Sequence, residues 1–140
     1  MKEMLFGYLE KRFGIPASVF AEHEFYAASK GRVYIGPKKA ISEPNVVSVG
    51  MLAARISRTV KPSTNLLQLF GRHATKNTIK LDRENTLKYV RGEDIEVETD
   101  ATGGYVLLAY KGSPIGCGFL EKGSVKNLLP KAKRAQLKFL

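Results

Sequence analysis

The residues most capable of chemistry lie in the stretch KGSVKNLLPKAKR, residues 122–134. There Lys122, Lys126, Lys131, Lys133 and Arg134 stand with no acid among them. The chemistry open to them is the binding of anions: an ammonium is a compact point charge, and a guanidinium can hold a phosphate through two parallel hydrogen bonds. From Gly103 onward Glu121 is the sole acid, while Lys111 and Lys138 extend the basic set, so ion pairing within the segment cannot neutralise it. Asn127 and Pro130 interrupt the run and point to a shaped turn rather than a solvated tail. Asn127 either reads a base edge or holds its own turn. Gly112, Gly116, Gly118 and Gly123 either let backbone come close to an anion or serve turns and bulges.

Other chemistries find little support. No G-x-G-x-x-G follows a strand, so the glycine turn that cradles a dinucleotide is missing. GRHATKN (71–77) has some of the character of a phosphate loop, without the glycine that should precede Lys76. His23 and His73 have no second histidine or cysteine at metal-ligand spacing, which predicts surface or boundary roles and no metal. Cys117, the single cysteine, sits between two glycines in an apolar stretch and is expected to be buried and inert. It can form no disulfide within the chain. The expectation is a protein that is not an enzyme and needs no cofactor.

The elements that must position the basic run follow from composition and periodicity. The chain has 140 residues, 44% of them hydrophobic, enough to bury a core. Lys and Arg total 23 against 13 Asp and Glu, a net charge of +10 that favours polyanionic partners, nucleic acid first among them. The N-terminus breaks its apolar residues with Glu3, Glu10, Lys11 and Arg12, and no run approaches the roughly 18 apolar residues of a membrane span. A soluble, cytoplasmic protein is expected.

Met1, Met4, Leu5, Tyr8 and Leu9 predict a helix stopped by Gly14 and Pro16, with a second short helix over 16–22. EFYAASKGRVYIG predicts two strands around a turn at Ser29–Arg32. KKAISEP reads as a polar loop, and VVSVGMLAARI as a buried strand. Ser63 or Thr64 caps a helix with Leu66, Leu67 and Phe70 inward, ended or interrupted at Gly71. TIKL is a strand, RENTLKYVRGED a short helix closed by Gly92, and IEVET a half-buried strand. GYVLLAY and PIGCGFL pair as a hairpin across KGS. The fold class is α+β, with a small N-terminal α/β domain over 1–76 and a mostly β domain over 77–140.

LKYVRGEDI, followed by GGYVLLAYKGSPIGCGFLEKGSVKNLLPKAKR, resembles the C-terminal RNA-binding, PUA-like region of the Sun/Fmu (RsmF-like) rRNA cytosine-5 methyltransferases. The elements that carry the likeness are Tyr89–Glu93, Gly112–Gly116 and Lys126–Arg134, in the family's order and across residues 85–135. The resemblance implies a PUA-like mixed β-barrel that binds structured rRNA or tRNA. It implies RNA contacts by Arg91, Gly92, Lys122, Lys126, Asn127, Lys131, Lys133 and Arg134. The first half has a layout similar to that of two-domain ribosome-biogenesis proteins ending in a PUA domain.

The family's catalysts need a cofactor domain and two cysteines, one of them in a Pro-Cys motif. Here Cys117 follows Gly116, so the RNA-handling part is implied without the catalyst. A second reading is an accessory subunit acting in trans with an RNA methyltransferase or a ribosome-assembly protein, for which exposed Leu128 and Leu129 would speak. Tyr89 and Tyr105 either stack on a base or pack in the core. A membrane patch is disfavoured, because Pro130 breaks any helix that would present it.

Overall fold

The computed structural model describes residues 1–38 and 50–134. Helix α1 (Lys2–Phe13) buries Leu5, Leu9 and Phe13 along one stripe, and Gly14 ends it at φ +70, the left-handed conformation a C-terminal cap requires. The short helix expected next is a 3-10 turn over Ala17–Phe20. Strands β1 (His23–Ala27), β2 (Arg32–Pro37), β3 (Met51–Ile56) and β4 (Val60–Pro62) form an antiparallel sheet in chain order. The β1–β2 turn lies where expected. The polar loop beyond Lys38 and residues 46–49 of the expected strand lie outside the described residues; the rest of that strand is β3.

Helix α2 (Thr64–Phe70) is capped by Ser63, whose hydroxyl accepts the Leu66 N–H at 3.0 Å and donates to the Leu52 carbonyl at 2.6 Å. Gly71 does not end it through a left-handed turn. Its φ of −63 carries the chain into a 3-10 turn, and what excludes a side chain there is Leu107, 2.8 Å from where a Cβ would lie. The stretch after it cannot act as a phosphate loop: the amides of Thr75 and Lys76 both donate to the Phe13 carbonyl, at 2.7 and 3.1 Å.

The second sheet comprises β5 (Thr78–Lys80), β6 (Ile95–Glu96), β7 (Gly104–Tyr110), β8 (Ser113–Glu121) and β9 (Ser124–Asn127), in the order β5-β7-β8-β9-β6. It curls as a half-barrel. β5 runs parallel to β7, and the other pairs are antiparallel. Helix α3 (Arg83–Val90) lies between β5 and β6 in the chain, and Asp82 caps it by accepting the Asn85 N–H at 2.8 Å. The strand expected over IEVET is shorter, because its partner β9 begins opposite Glu96 and beyond it the Val97 N–H reaches only the Gly123 carbonyl of the hairpin turn. Asn77 then takes the Thr102 N–H and Arg12 donates to the Thr102 carbonyl. The hairpin turns at Lys111–Gly112 and Lys122–Gly123 have positive φ at both residues, which matches the twist of tight hairpins.

Two cores result. The first gathers α1, the first sheet and α2, together with Leu107 and Cys117 from the second sheet. The second holds Tyr89, Val106, Leu108, Ile115, Val125 and Leu129 with their neighbours. β7 and β8 are therefore buried on both faces, which is why their sequences read as unbroken apolar runs. The class is α+β. The two sheets fall on either side of residue 77, although Leu107 and Cys117 complete the N-terminal core. The short helix α4 (Lys131–Arg134) follows β9.

Candidate nucleic-acid interface

Successive residues of a strand point to opposite faces, and this divides the basic run. Lys126 projects from β9 on the face away from the second core. It stands directly opposite Phe119 of β8, which stands opposite Tyr105 of β7. The three form a row across neighbouring strands. The two rings meet edge to face with centroids 5.1 Å apart, and both remain half-exposed. They line a cleft of about 530 Å³ with Lys126, Lys61, Glu121 and Leu128. Burial raises the Tyr105 hydroxyl's pKa, as does the nearby Cys117.

Asn127 points the other way, toward α3. Its amide nitrogen donates to the carbonyls of Tyr89 (2.7 Å) and Glu93 (2.9 Å), and its oxygen accepts the Leu129 N–H at 2.9 Å. Its own N–H donates to an Asp94 carboxylate oxygen at 2.8 Å. With both amide donors engaged, Asn127 holds its turn, and of the two roles open from sequence this is the one the geometry supports.

Beside Asn127, Gly92 (φ +92) lies under the guanidinium of Arg134, which a side chain at 92 would strike. Arg134 has its Nε buried and without a hydrogen-bond partner. Arg91 is exposed at the end of α3. Tyr89 is fully buried and donates its hydroxyl to the Cys117 carbonyl at 2.7 Å, so it packs in the core and offers no ring to a base. Gly116 is glycine because a Cβ there would collide with that hydroxyl. The glycines in this segment thus serve packing and turns.

A second cleft of about 360 Å³ adjoins the first, sharing Lys61 and Leu128 with it. Lys133 lines it from the C-terminal side, Arg55 and Asn65 from the N-terminal side, and Cys117 is among the residues at its wall. The Cys117 thiol is buried, and burial pushes it up to about 12, while the charge of Lys61 pulls it down. That is the inert cysteine expected from its neighbours.

The residues singled out from sequence therefore part into groups. Lys126 and Lys133 face the joined clefts; Lys122 stands exposed at a hairpin tip, and Lys131 is exposed on α4. Arg91, Gly92, Asn127 and Arg134 surround the end of α3 on the other side of the sheet. Leu129 is buried in the second core, and Leu128 packs against the first and lines both clefts, so neither is a freely exposed leucine. Sequence reasoning missed Arg55, Lys61 and Phe119. The alternation of ARISRTVKP was a usable signal for the first two; Phe119 read only as part of an apolar strand. Among the described residues no group of His, Cys, Asp and Glu could hold a metal ion, and no helix is long and apolar enough to cross a membrane.

Residues 76–135 match the family described as the PUA domain of methyltransferase RsmF. A stretch of 62 residues is 32% identical to a protein of Aeromonas salmonicida (strain A449) named ribosomal RNA small subunit methyltransferase F. That alignment covers 44% of this chain and 13% of the relative, so the chain corresponds to a small part of that protein's length. In fold the chain is similar to a conserved PUA domain protein from Thermoplasma acidophilum, with a TM-score of 0.60 over 96% of this chain and 93% of the other, at 16% identity. Residues 76–135 are thus similar to the PUA domain of the RsmF rRNA methyltransferases, as the motifs from Tyr89 to Arg134 implied, and the fold is that of a PUA domain protein.

Proposed function

We propose that the chain is a non-catalytic RNA-binding protein that takes structured rRNA or tRNA in RNA modification or ribosome biogenesis. The observation that carries this reading is the row Tyr105–Phe119–Lys126, half-open in a cleft on a PUA sheet, with Lys133 in the adjoining cleft. An aromatic edge and face beside an ammonium suits an unpaired base and its phosphate, the usual way in which single-stranded RNA is gripped. In this reading Lys126 and Lys133 meet phosphates, Lys122 and Lys131 are outer contacts, and Arg91 touches RNA that wraps past α3. Gly92, Asn127 and Arg134 shape the turn that presents them. Support for a non-catalytic role comes from Cys117, which is buried, kept protonated and not preceded by proline.

The test is titration of total tRNA and total rRNA at several salt concentrations. Each phosphate contact contributes roughly −0.7 to the slope of log affinity against log salt for a single strand. Lys126→Glu with Lys133→Glu should weaken binding at least about tenfold while leaving the melting curve in place. A flat salt response, or unchanged affinity in that variant, overturns the reading.

A further inference from the structure

A second row of side chains crosses the first sheet. Arg32 of β2 stands directly opposite Arg55 of β3, and Arg55 directly opposite Lys61 of β4. Directly paired residues share a face, so the cations line up over about 10 Å at the usual interstrand spacing of about 4.8 Å. Arg55 and Lys61 are exposed, and Arg32 is half-exposed. Like charges directly opposite one another destabilise a sheet, and no ion pair among the described residues offsets them, although Glu121 shares a cleft with Lys61. The ion pairs found among the described residues, Met1–Glu3 and Glu84–Lys88, lie elsewhere. Arg32 is instead braced by Ser29, donating to its carbonyl at 3.0 Å and its hydroxyl at 2.7 Å.

The row is also continuous with the clefts of the PUA side. Arg55 and Lys61 line the cleft that Lys133 faces, and Lys61 lines the aromatic cleft as well. A strand of RNA with a base at Tyr105–Phe119 would meet Lys61 next and then Arg55 and Arg32. We infer that the first sheet is a second RNA-contacting surface, on which Arg32, Arg55 and Lys61 hold the sugar–phosphate backbone of the strand that the aromatic cleft engages. The inference rests on the RNA-binding reading above and extends the site across both sheets. The row presents charge without a ring, so it holds backbone and reads no sequence.

The test is fluorescence anisotropy with a fluorescein-labelled, single-stranded RNA of mixed sequence, over a series of salt concentrations. Each contact is worth about fivefold at about 0.1 M salt, so Arg55→Gln with Lys61→Gln should bind about twentyfold more weakly. Its log–log slope should be shallower by about 1.4. Arg32→Gln alone should cost about fivefold. The melting temperature of the double variant should be unchanged or higher, because relief of repulsion cannot unfold the sheet. Lys2→Gln with Lys80→Gln removes the same charge from exposed positions on other elements and should leave the slope near that of the wild type. Wild-type slope and affinity in Arg55→Gln/Lys61→Gln, or an equal loss in the control, overturns the inference and leaves the PUA reading standing. Failure of the wild type to bind RNA overturns both.

Discussion

The two sheets each carry a row of three side chains across adjacent strands, Arg32–Arg55–Lys61 on the first and Tyr105–Phe119–Lys126 on the second. The first is charge laid on a sheet that would be steadier without it. The second is two rings and one charge, on strands whose opposite face is closed by the second core. Coulombic holding tolerates motion, since it falls off gradually and is screened by salt over about 10 Å. Stacking needs the ring in one place. The difference predicts that what lies beneath the aromatic row matters for folding, whereas the cationic row can be rewritten freely.

The largest way to break this contrast is to empty the floor under the aromatic row. Tyr89 is fully buried, is hydrogen-bonded to the Cys117 carbonyl, and lies against Gly116. Tyr89→Ala should cost about 3–5 kcal/mol of stability, seen as a lowered urea midpoint with unchanged m-value. Arg55→Gln in the same assay should stay within about 0.5 kcal/mol of the wild type. Equal losses in the two variants would mean that the rows do not differ in their support.

Asn127 sharpens the contrast next, because it is adjacent to Lys126 and yet serves the opposite face. Asn127→Ala leaves the carbonyls of Tyr89 and Glu93 and the Leu129 N–H without their partner, a loss of about 2 kcal/mol. The salt slope for RNA should not move in the folded protein. A shallower slope with unchanged stability would make Asn127 an RNA contact after all.

Much of this molecule was readable from residue order, and the gaps have a common cause. Helix α1 with its Gly14 stop, the Ser63 cap and the Gly92 turn are local chemistry, settled within a few neighbouring residues. The PUA segment was legible because its motifs recur in order. Asn127 was also within reach: in a strand, Lys126 and Asn127 cannot face the same way, so alternation alone assigns them to opposite faces of β9. The alternation of ARISRTVKP could have shown Arg55 and Lys61 facing outward, but not that they join Arg32 in one row. Arg32, Arg55 and Lys61 meet only through strand register, and a slip of one residue would send them to opposite faces. Phe119 was hidden, and the role of Tyr105 left open, for a related reason: strands buried on two faces give no alternation to show which rings reach a cleft.

The rows should also separate by the way in which binding weakens. Phe119→Ala removes one ring of the pair and should lower affinity for single-stranded RNA by about 1–2 kcal/mol at every salt concentration, a parallel downward shift. Changes in the cationic row should tilt the line instead. Anisotropy titrations of Phe119→Ala and Arg55→Gln over one salt series make the comparison. A tilt in Phe119→Ala would mean that the ring acts by positioning Lys126 rather than by stacking.

The smallest effect is read where the rows meet, at Cys117. Burial holds its thiol up to about 12, and the positive charge of Lys61 opposes that rise, which puts Lys61 within electrostatic reach of the groove wall. A folded pKa raised above the unfolded value of about 8.5 means that the fold keeps the thiol protonated while the unfolded chain releases its proton. The contribution is therefore complete below about pH 8.5 and is lost as pH rises toward 12. Wild type should lose about 1 kcal/mol more than Cys117→Ala between pH 8 and about pH 9.3 in urea denaturation, a window kept below the ordinary tyrosine range near pH 10. Lys61→Gln removes the opposing charge, so the onset of native thiol alkylation should move to still higher pH. If it stays where it is in the wild type, Lys61 does not sit over the thiol, and the two rows do not join there.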